Sequence, residues 1–317
     1  MSMGVIIIVT ALAYLGALFL VAYWGDRRRA REKAIRQSQT WIYPLSLAVY
    51  CTSWTFFGSV GLASRNGFDF LAIYVGPMIL FAVFWPFIGR VVRIAKAQNI
   101  TSVADFIGAR YGKSQAVASM VCLIVTVGTI PYVALQLKAV SASLLTTFEP
   151  GEIATMARTL PLFSDIALVV ALSMAVFAML FGTRHADATE HQDGLILAVA
   201  AESLVKLVCF LAVGVYVTYW MFGGFSDLFG RVAERRDIME AVIRWPDPST
   251  FLAMSLLSFF CGILLPRMFH VGVVENHSQA EVRRASWLFP LYLVLINIFV
   301  VPIAVAGLLV FPPGGID

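Results

Sequence analysis

Runs of roughly twenty consecutive apolar residues recur along this chain, and no other sequence feature limits its fold so strongly. Crossing about 30 Å of hydrocarbon takes roughly 20 helical residues. Eight stretches meet that requirement: 3–24, 40–62, 70–91, 114–146, 162–182, 191–221, 250–271 and 286–311. Closed β-barrels also cross membranes, but their strands are about ten residues long and alternate in polarity, unlike these runs. Composition agrees, with 60% hydrophobic and only 13% charged residues and a mean hydropathy of +0.83. A water-soluble fold has too much surface to cover with so few charges. An all-α transmembrane protein of about eight spans is therefore expected, with the lipid bilayer as its first partner.

Lys and Arg set the orientation, because cytoplasmic loops carry the excess. If 25–39, 90–113, 183–190 and 267–285 are inside, they hold 15 of the 23 basic residues, against 6 in the opposite loops. The remaining two, Lys138 and Lys206, fall within spans. The densest block is Arg27, Arg28, Arg29, Arg31, Lys33 and Arg36, directly after the first run. The N-terminus is then outside, and the first run reads as an anchor: no basic residue precedes it, and it is longer than a signal-peptide core. Both chain ends face out. Basic residues confined to short loops do not form a nucleic-acid stripe, so no nucleic-acid partner is expected.

Two loops look like more than connectors. Residues 99–113 place Ser102 ahead of Ala104, Phe106 and Ile107, a short amphipathic helix ended by Gly112. Residues 223–249 carry Leu228, Val232, Ile238, Ala241 and Val242 among charges, which suits a segment lying along the membrane surface or packed on the protein itself. The sequence stops at FPPGGID directly after a span, which reads as a truncated chain.

Few residues offer catalysis. Cys51, Cys122, Cys209 and Cys261 sit in apolar runs and read as packing thiols, not disulfide partners. His185, His191, His270 and His277 match no zinc spacing and read as solvated loop residues. Phosphate loops and nucleophile elbows are absent from the sequence. A membrane enzyme built on Glu202, His185 and His191 is the rival from a different class.

Solute handling has better candidates. The second span contains Tyr50-Cys51-Thr52-Ser53-Trp54 and then Gly58-Ser59-Val60-Gly61, small and polar residues at mid-depth. These permit a helix break, whose freed backbone groups survive in lipid only where they line a cavity; close helix packing is the other reading. The seventh span repeats the feature at Ser258–Pro266, through Phe259, Cys261 and Gly262, and then Pro266-Arg267. Two interrupted spans with four intact ones between them suggest an inverted-repeat transporter. In the fourth span Pro131 predicts a kink, and Tyr132 and Gln136 share a face that could address a central site. Lys138 lies nearer the outer end and is free to snorkel. Glu202 and Lys206, spaced i and i+4 with the acid first, form either a structural ion pair or a coupling switch.

Five stretches together carry a resemblance: WIYPLSLAVYCTSWTFFGSVGLAS (41–64), ITSVADFIGARYG (100–112), PYVALQLKAVSASL (131–144), FGTRHADATEHQDGLILAVAAESLVKL (181–207) and LLPRMFHVGVVENHSQAEVRRASWLFPLYLVLIN (264–297). They resemble the sodium/solute symporter family, and within it the subgroup that forms the N-terminal sensor region of bacterial hybrid histidine kinases. The resemblance implies a LeuT-type inverted-repeat helix bundle, incomplete in this chain. Residues 1–39 would be an extra helix and basic loop, 40–221 the first five-helix repeat, and 250–317 the first two helices of the second. It further implies a multi-pass protein of the bacterial inner membrane. The expected guest is a small polar solute, amino acid or organic acid, contacted by Thr52, Ser53, Trp54, Tyr132, Gln136, Ser258, Phe259 and Gly262. Its one implied cofactor is Na+, with Tyr50, Cys51 and Ser53 supplying only part of an ion site whose remaining hydroxyls would lie beyond Asp317. Where a symporter such as the proline carrier has an acidic residue near the break, this sequence offers Cys51 and Thr52, a departure that weakens the case for sodium. A cytoplasmic histidine kinase module is the implied signalling partner, and any kinase activity would belong to sequence outside this chain. A stand-alone sodium- or proton-coupled symporter, cut short, is the alternative.

Overall fold

The computed structural model describes residues 3–31, 41–147 and 193–311, together with 168, 170–172 and 175. Among the described residues every regular element is helical. In chain order these are α1 (Met3–Arg31), α2 (Ile42–Ser46) with a 3₁₀ turn Leu47–Tyr50, α3 (Ser53–Asn66), a 3₁₀ turn Gly67–Leu71 and α4 (Ala72–Ala82). Then come α5 (Trp85–Ala97), α6 (Val103–Arg110), α7 (Gln115–Thr147) and α8 (Asp193–Val215), which continues as a π turn Tyr216–Met221. The chain closes with α9 (Phe225–Glu234), α10 (Arg236–Ile243), α11 (Pro248–Leu264), α12 (Pro266–Phe269) with a π turn His270–Val274, α13 (Gln279–Asn297) and α14 (Val300–Val310).

By length and composition, Gln115–Thr146, Gly194–Met221 and Gln279–Val310 are able to cross a membrane. Two bent pairs raise the number to as many as five among the described residues: Ile42–Tyr50 with Ser53–Ala82, and Arg236–Ile243 with Pro248–Leu264, each turning by 55°. Val9–Gly25 adds a shorter apolar helix. The expected span 162–182 lies almost wholly outside the described residues, as do His185 and His191.

Several element ends follow from local chemistry. Ser102 caps α6 by accepting the Asp105 N–H at 3.0 Å, and the chain leaves that helix through Gly112 at φ +67°, as the sequence predicts. Asp247 caps α11 by accepting the Thr250 N–H at 2.9 Å, with Pro248 as the first helical residue. A capping box between Ser278 and Glu281 opens α13, so this helix starts several residues before the apolar run at 286; its polar first turns are held by the cap, not by lipid. The run 70–91 is corrected from one span to two helices, because the chain turns at Val83–Phe84 and restarts at Trp85-Pro86. A proline there has no N–H for the preceding turn and suits a first helical turn. By contrast α7 passes through Pro131 as one helix.

The largest core forms where α2, α4, α5 and α13 meet. Phe289 is its centre, fully buried, edge-on to Phe81 at 4.8 Å and to Tyr50 at 6.4 Å. Three tyrosine hydroxyls in this core are satisfied by backbone carbonyls, Tyr43 to Gly272, Tyr50 to Ile73 and Tyr292 to Ser203, and that of Tyr74 pairs with the Ser59 hydroxyl, all at 2.7–2.8 Å. That pairing matters because an orphaned buried hydroxyl costs about 1–3 kcal/mol. Packing between α4 and α11 is closest at Gly76, where a Cβ would sit 2.2 Å from Ser258 Oγ and 2.3 Å from the Phe259 nitrogen.

Both predicted loop helices pack on the protein. Phe106 of α6 meets Phe269 edge-on at 5.7 Å. Leu228, Val232, Ile238 and Val242 of α9 and α10 are buried with Phe222, Val305 and Ala306, a second core at the end of α14. The cysteine reading is corrected in part: Cys51 is buried, whereas Cys122 and Cys209 are exposed on the outer faces of α7 and α8. An outer face in lipid accepts a small apolar thiol as readily as a core does. His270 is likewise not simply solvated, since its Nε2 lies 3.1 Å from Oε1 of Glu275, a side chain only 1% exposed.

Candidate functional site

Two interruptions dominate the site. The first falls at Cys51–Thr52, where Cys51 has ψ 108° and Thr52 is fully extended. The second falls at Leu265, with φ −59° and ψ 132°, between α11 and α12. Gly58–Gly61, by contrast, lies inside continuous α3. A chain that leaves helical geometry frees carbonyls on one side of the gap and amides on the other.

The freed carbonyls at the first gap are met by cations. Lys206 Nζ of α8 donates to the Cys51 carbonyl at 3.0 Å, and Arg267 Nη2 of α12 donates to the Tyr50 carbonyl at 3.3 Å. Lys206 also pairs with Glu202 at 3.2 Å, giving the i, i+4 bridge expected from the sequence. The C-terminal end of a helix carries a partial negative charge, so cations belong there. Two cations against one carboxylate leave the region one positive charge in excess among the described residues. The ammonium of Lys206 is offset by Glu202, so the charge that disfavours a further cation here is that of Arg267, which has no carboxylate partner among the described residues.

Across the gap, Ser53 begins α3 and its hydroxyl donates to Gln136 Oε1 of α7. Tyr132, one turn earlier on α7, lies beneath the Arg267 guanidinium, 4.7 Å from ring centroid to Cζ. Tyr132 and Gln136 therefore share the inward face of α7, while Val133, Leu135 and Lys138 are exposed. Three buried polar atoms in this cluster lack a hydrogen-bond partner among the described residues: Tyr132 Oη, Gln136 Nε2 and Arg267 Nε. All three carry N–H or O–H protons. Buried groups of this kind are paired in most proteins, and unpaired ones call for a reason such as an absent ligand.

Other sequence candidates sit elsewhere. The Ser258 hydroxyl donates to the Ala72 carbonyl of α4 at 2.8 Å, Phe259 stacks edge-on with Phe84, and Gly262 faces Pro77 and Leu80. Their contacts are helix packing against α4 and its exit, not polar groups facing Ser53 and Gln136. The shared reason is Gly76, which draws α11 onto α4 along that face. Trp54 is half-buried with its indole folded over Gly58 of its own helix, where a Cβ would be 2.4 Å away. Thr52 is half-buried at the gap and its side chain makes no capping bond. The Tyr50 hydroxyl is used by Ile73, so only its backbone carbonyl faces the gap. Among the described residues no group of His, Cys, Asp and Glu is arranged to hold a metal ion.

Sequence reasoning missed Arg267 and the reach of Lys206. Arg267 counts as a cytoplasmic loop residue when the span is drawn unbroken; the break at Leu265 instead starts a new helix that carries it inward. The available signal was Pro266-Arg267 directly after an interrupted span. A recess of about 530 Å³ lined by Trp85, Arg283, Arg284 and Trp287 lies apart from these groups, and its aromatic and arginine rim suits a membrane–water boundary.

Over 308 residues the chain is 24% identical to an uncharacterized symporter, YhjB, of Bacillus subtilis (strain 168), with 94% of this chain and 58% of that protein covered. The chain thus spans just under three-fifths of that relative's length. No family model matches the chain, and no solved structure matches it. Its apolar helices and this likeness make it a multi-pass membrane protein similar to a symporter.

Proposed function

We propose that this chain is the solute-binding part of a symporter-like membrane domain, and that its guest is a small carboxylate-bearing solute, an amino acid or an organic acid. One observation carries the reading: among the described residues, three orphaned buried donors and one uncompensated positive charge converge where α2 breaks. A carboxylate would accept from Arg267 Nε, Gln136 Nε2 and Tyr132 Oη and cancel the excess charge. Charge-assisted bonds of this kind are about twice as strong as neutral ones. The second break, at Leu265, gives Arg267 a hinge of its own, and rocking of the two broken helices against α7 would alternate access to the guest.

The finer reading is that occupancy is sensed as well as carried. The QLKAVS, TRHADATE and LPRMFHVGVVEN strings resemble the sensor region of hybrid histidine kinases, so the bound state would bias a cytoplasmic kinase module. The relative described as a symporter favours a second reading, a stand-alone carrier. A coding frame that runs on into a histidine-containing dimerisation domain supports the sensor, and one that stops after further membrane helices supports the carrier.

Equilibrium binding of labelled amino acids and organic acids to full-length protein in nanodiscs tests the site. Arg267→Gln is expected to weaken the best-bound acid by about 10- to 100-fold, the range for a hydrogen bond to a charged group. Unchanged affinity in both Arg267→Gln and Gln136→Ala would remove the assignment.

A further inference from the structure

We propose that Lys206 is a built-in counter-ion: its ammonium occupies the cation position at the broken end of α2, so that the site works without sodium. The carbonyl that a soluble cation would need there, that of Cys51, already accepts from Lys206 Nζ at 3.0 Å. Its neighbour, the Tyr50 carbonyl, accepts from Arg267. Two freed carbonyls at the gap thus hold protein cations, and the positive charge in excess among the described residues disfavours another. Lys206 is tethered for this task, since its side chain is only 19% exposed and its ammonium forms an ion pair with Glu202, one turn earlier, at 3.2 Å. An ion pair alone would be complete with Glu202. The additional bond to a residue 155 positions away in sequence joins α8 to the gap.

This inference rests on the solute-site reading for its consequence in transport, but the test needs no solute. Full-length protein in nanodiscs is melted in sodium chloride and in choline chloride at equal ionic strength, and binding of radioactive sodium is measured alongside. Wild type is expected to melt alike in both salts and to bind no saturable sodium. Lys206→Ala vacates the position; its melting temperature is expected to fall in choline chloride and to recover by a few degrees with sodium or methylammonium, as a ligand of the folded state stabilises it. Lys206→Met still fills the space without charge and is expected to show no recovery. Recovery should persist in Glu202→Gln/Lys206→Ala, because the Cys51 carbonyl is still there.

Saturable sodium binding by wild type would overturn the proposal, as would a Lys206→Ala variant that neither salt rescues or whose rescue vanishes with Glu202. If Lys206→Ala does not fold, the wild-type sodium titration decides alone: saturation overturns, its absence supports. Loss of solute binding in none of the Arg267 and Gln136 variants would end the solute reading and leave this one standing.

Discussion

Tyr132, Gln136 and Arg267 each carry a buried donor with no acceptor among the described residues, and each makes a separable prediction. Tyr132→Phe removes an orphaned hydroxyl, so the solute-free protein should hold its stability or gain about 1 kcal/mol, while solute affinity falls roughly two- to tenfold. Thermal melting without solute and a binding isotherm with it read the two effects separately; a loss of stability without a loss of affinity would show that the hydroxyl serves packing. Ser53 and Gln136 were legible in sequence as polar groups at mid-membrane depth, and the structure brings them into one hydrogen bond. Arg267 was not, because its inward course depends on a single extended residue, Leu265. Ser258 was legible as polar but not as a packing hydroxyl, since its partner is a carbonyl 186 residues away.

Among the elements, α4 and α11 give the sharpest test. Gly76→Ala places a methyl group within 2.4 Å of Ser258 Oγ, the Phe259 nitrogen and the Ser255 carbonyl; two of these are backbone and cannot rotate away. The helices must separate, and the expected cost is about 1–3 kcal/mol, read as a lower melting temperature in detergent. Gly61→Ala in α3 is the control, because a Cβ there meets nothing within 4 Å, and alanine favours a helix over glycine by about 1 kcal/mol. At the start of α11, Asp247 accepts from the Ser249 hydroxyl and the Thr250 amide, which hold its carboxyl down to about 2. A carboxyl depressed in the folded state stabilises that state fully above its unfolded value and loses the contribution as pH falls through the folded one. Amide exchange at the first turn of α11 should therefore be unchanged between pH 7 and pH 5 after correction for intrinsic rates, and should accelerate only on acidification from about 4 towards 2. Acceleration already near pH 5 would show that the cap is not held this way. Asp227 and Asp237 in the same loop region are likewise held below the usual carboxylate range, by Arg231 and Arg235 respectively.

For the whole molecule, the distribution of basic residues predicts sidedness. Ser226 of α9 and Tyr111 beyond α6 are both exposed, and they belong to loops assigned to opposite sides of the membrane. A cysteine at Ser226 should react with an impermeant maleimide in intact cells, and one at Tyr111 only after permeabilisation. The reverse pattern would invert the topology. The two loops also pack on different partners: α9 and α10 cover α14, with the Val242 carbonyl 2.5 Å from where a Gly67 Cβ would lie, and α6 packs on Phe269 beyond the second break.

Sequence by itself determined the helical content, the membrane-length runs, the caps at Ser102 and the places where two spans come apart. These are near-neighbour properties: hydropathy over about 20 residues, a side chain bonding to an amide three positions on, and polar or proline residues at mid-depth. Only the tertiary structure decided which groups face the gap. Lys206 reaching Cys51, Arg267 reaching Tyr50, and Ser258 turned to α4 all depend on how helices distant in sequence are rotated and packed against one another. A hydropathy profile carries no information about that rotation, because a helix presents every face to its own sequence and chooses one only when another helix is beside it.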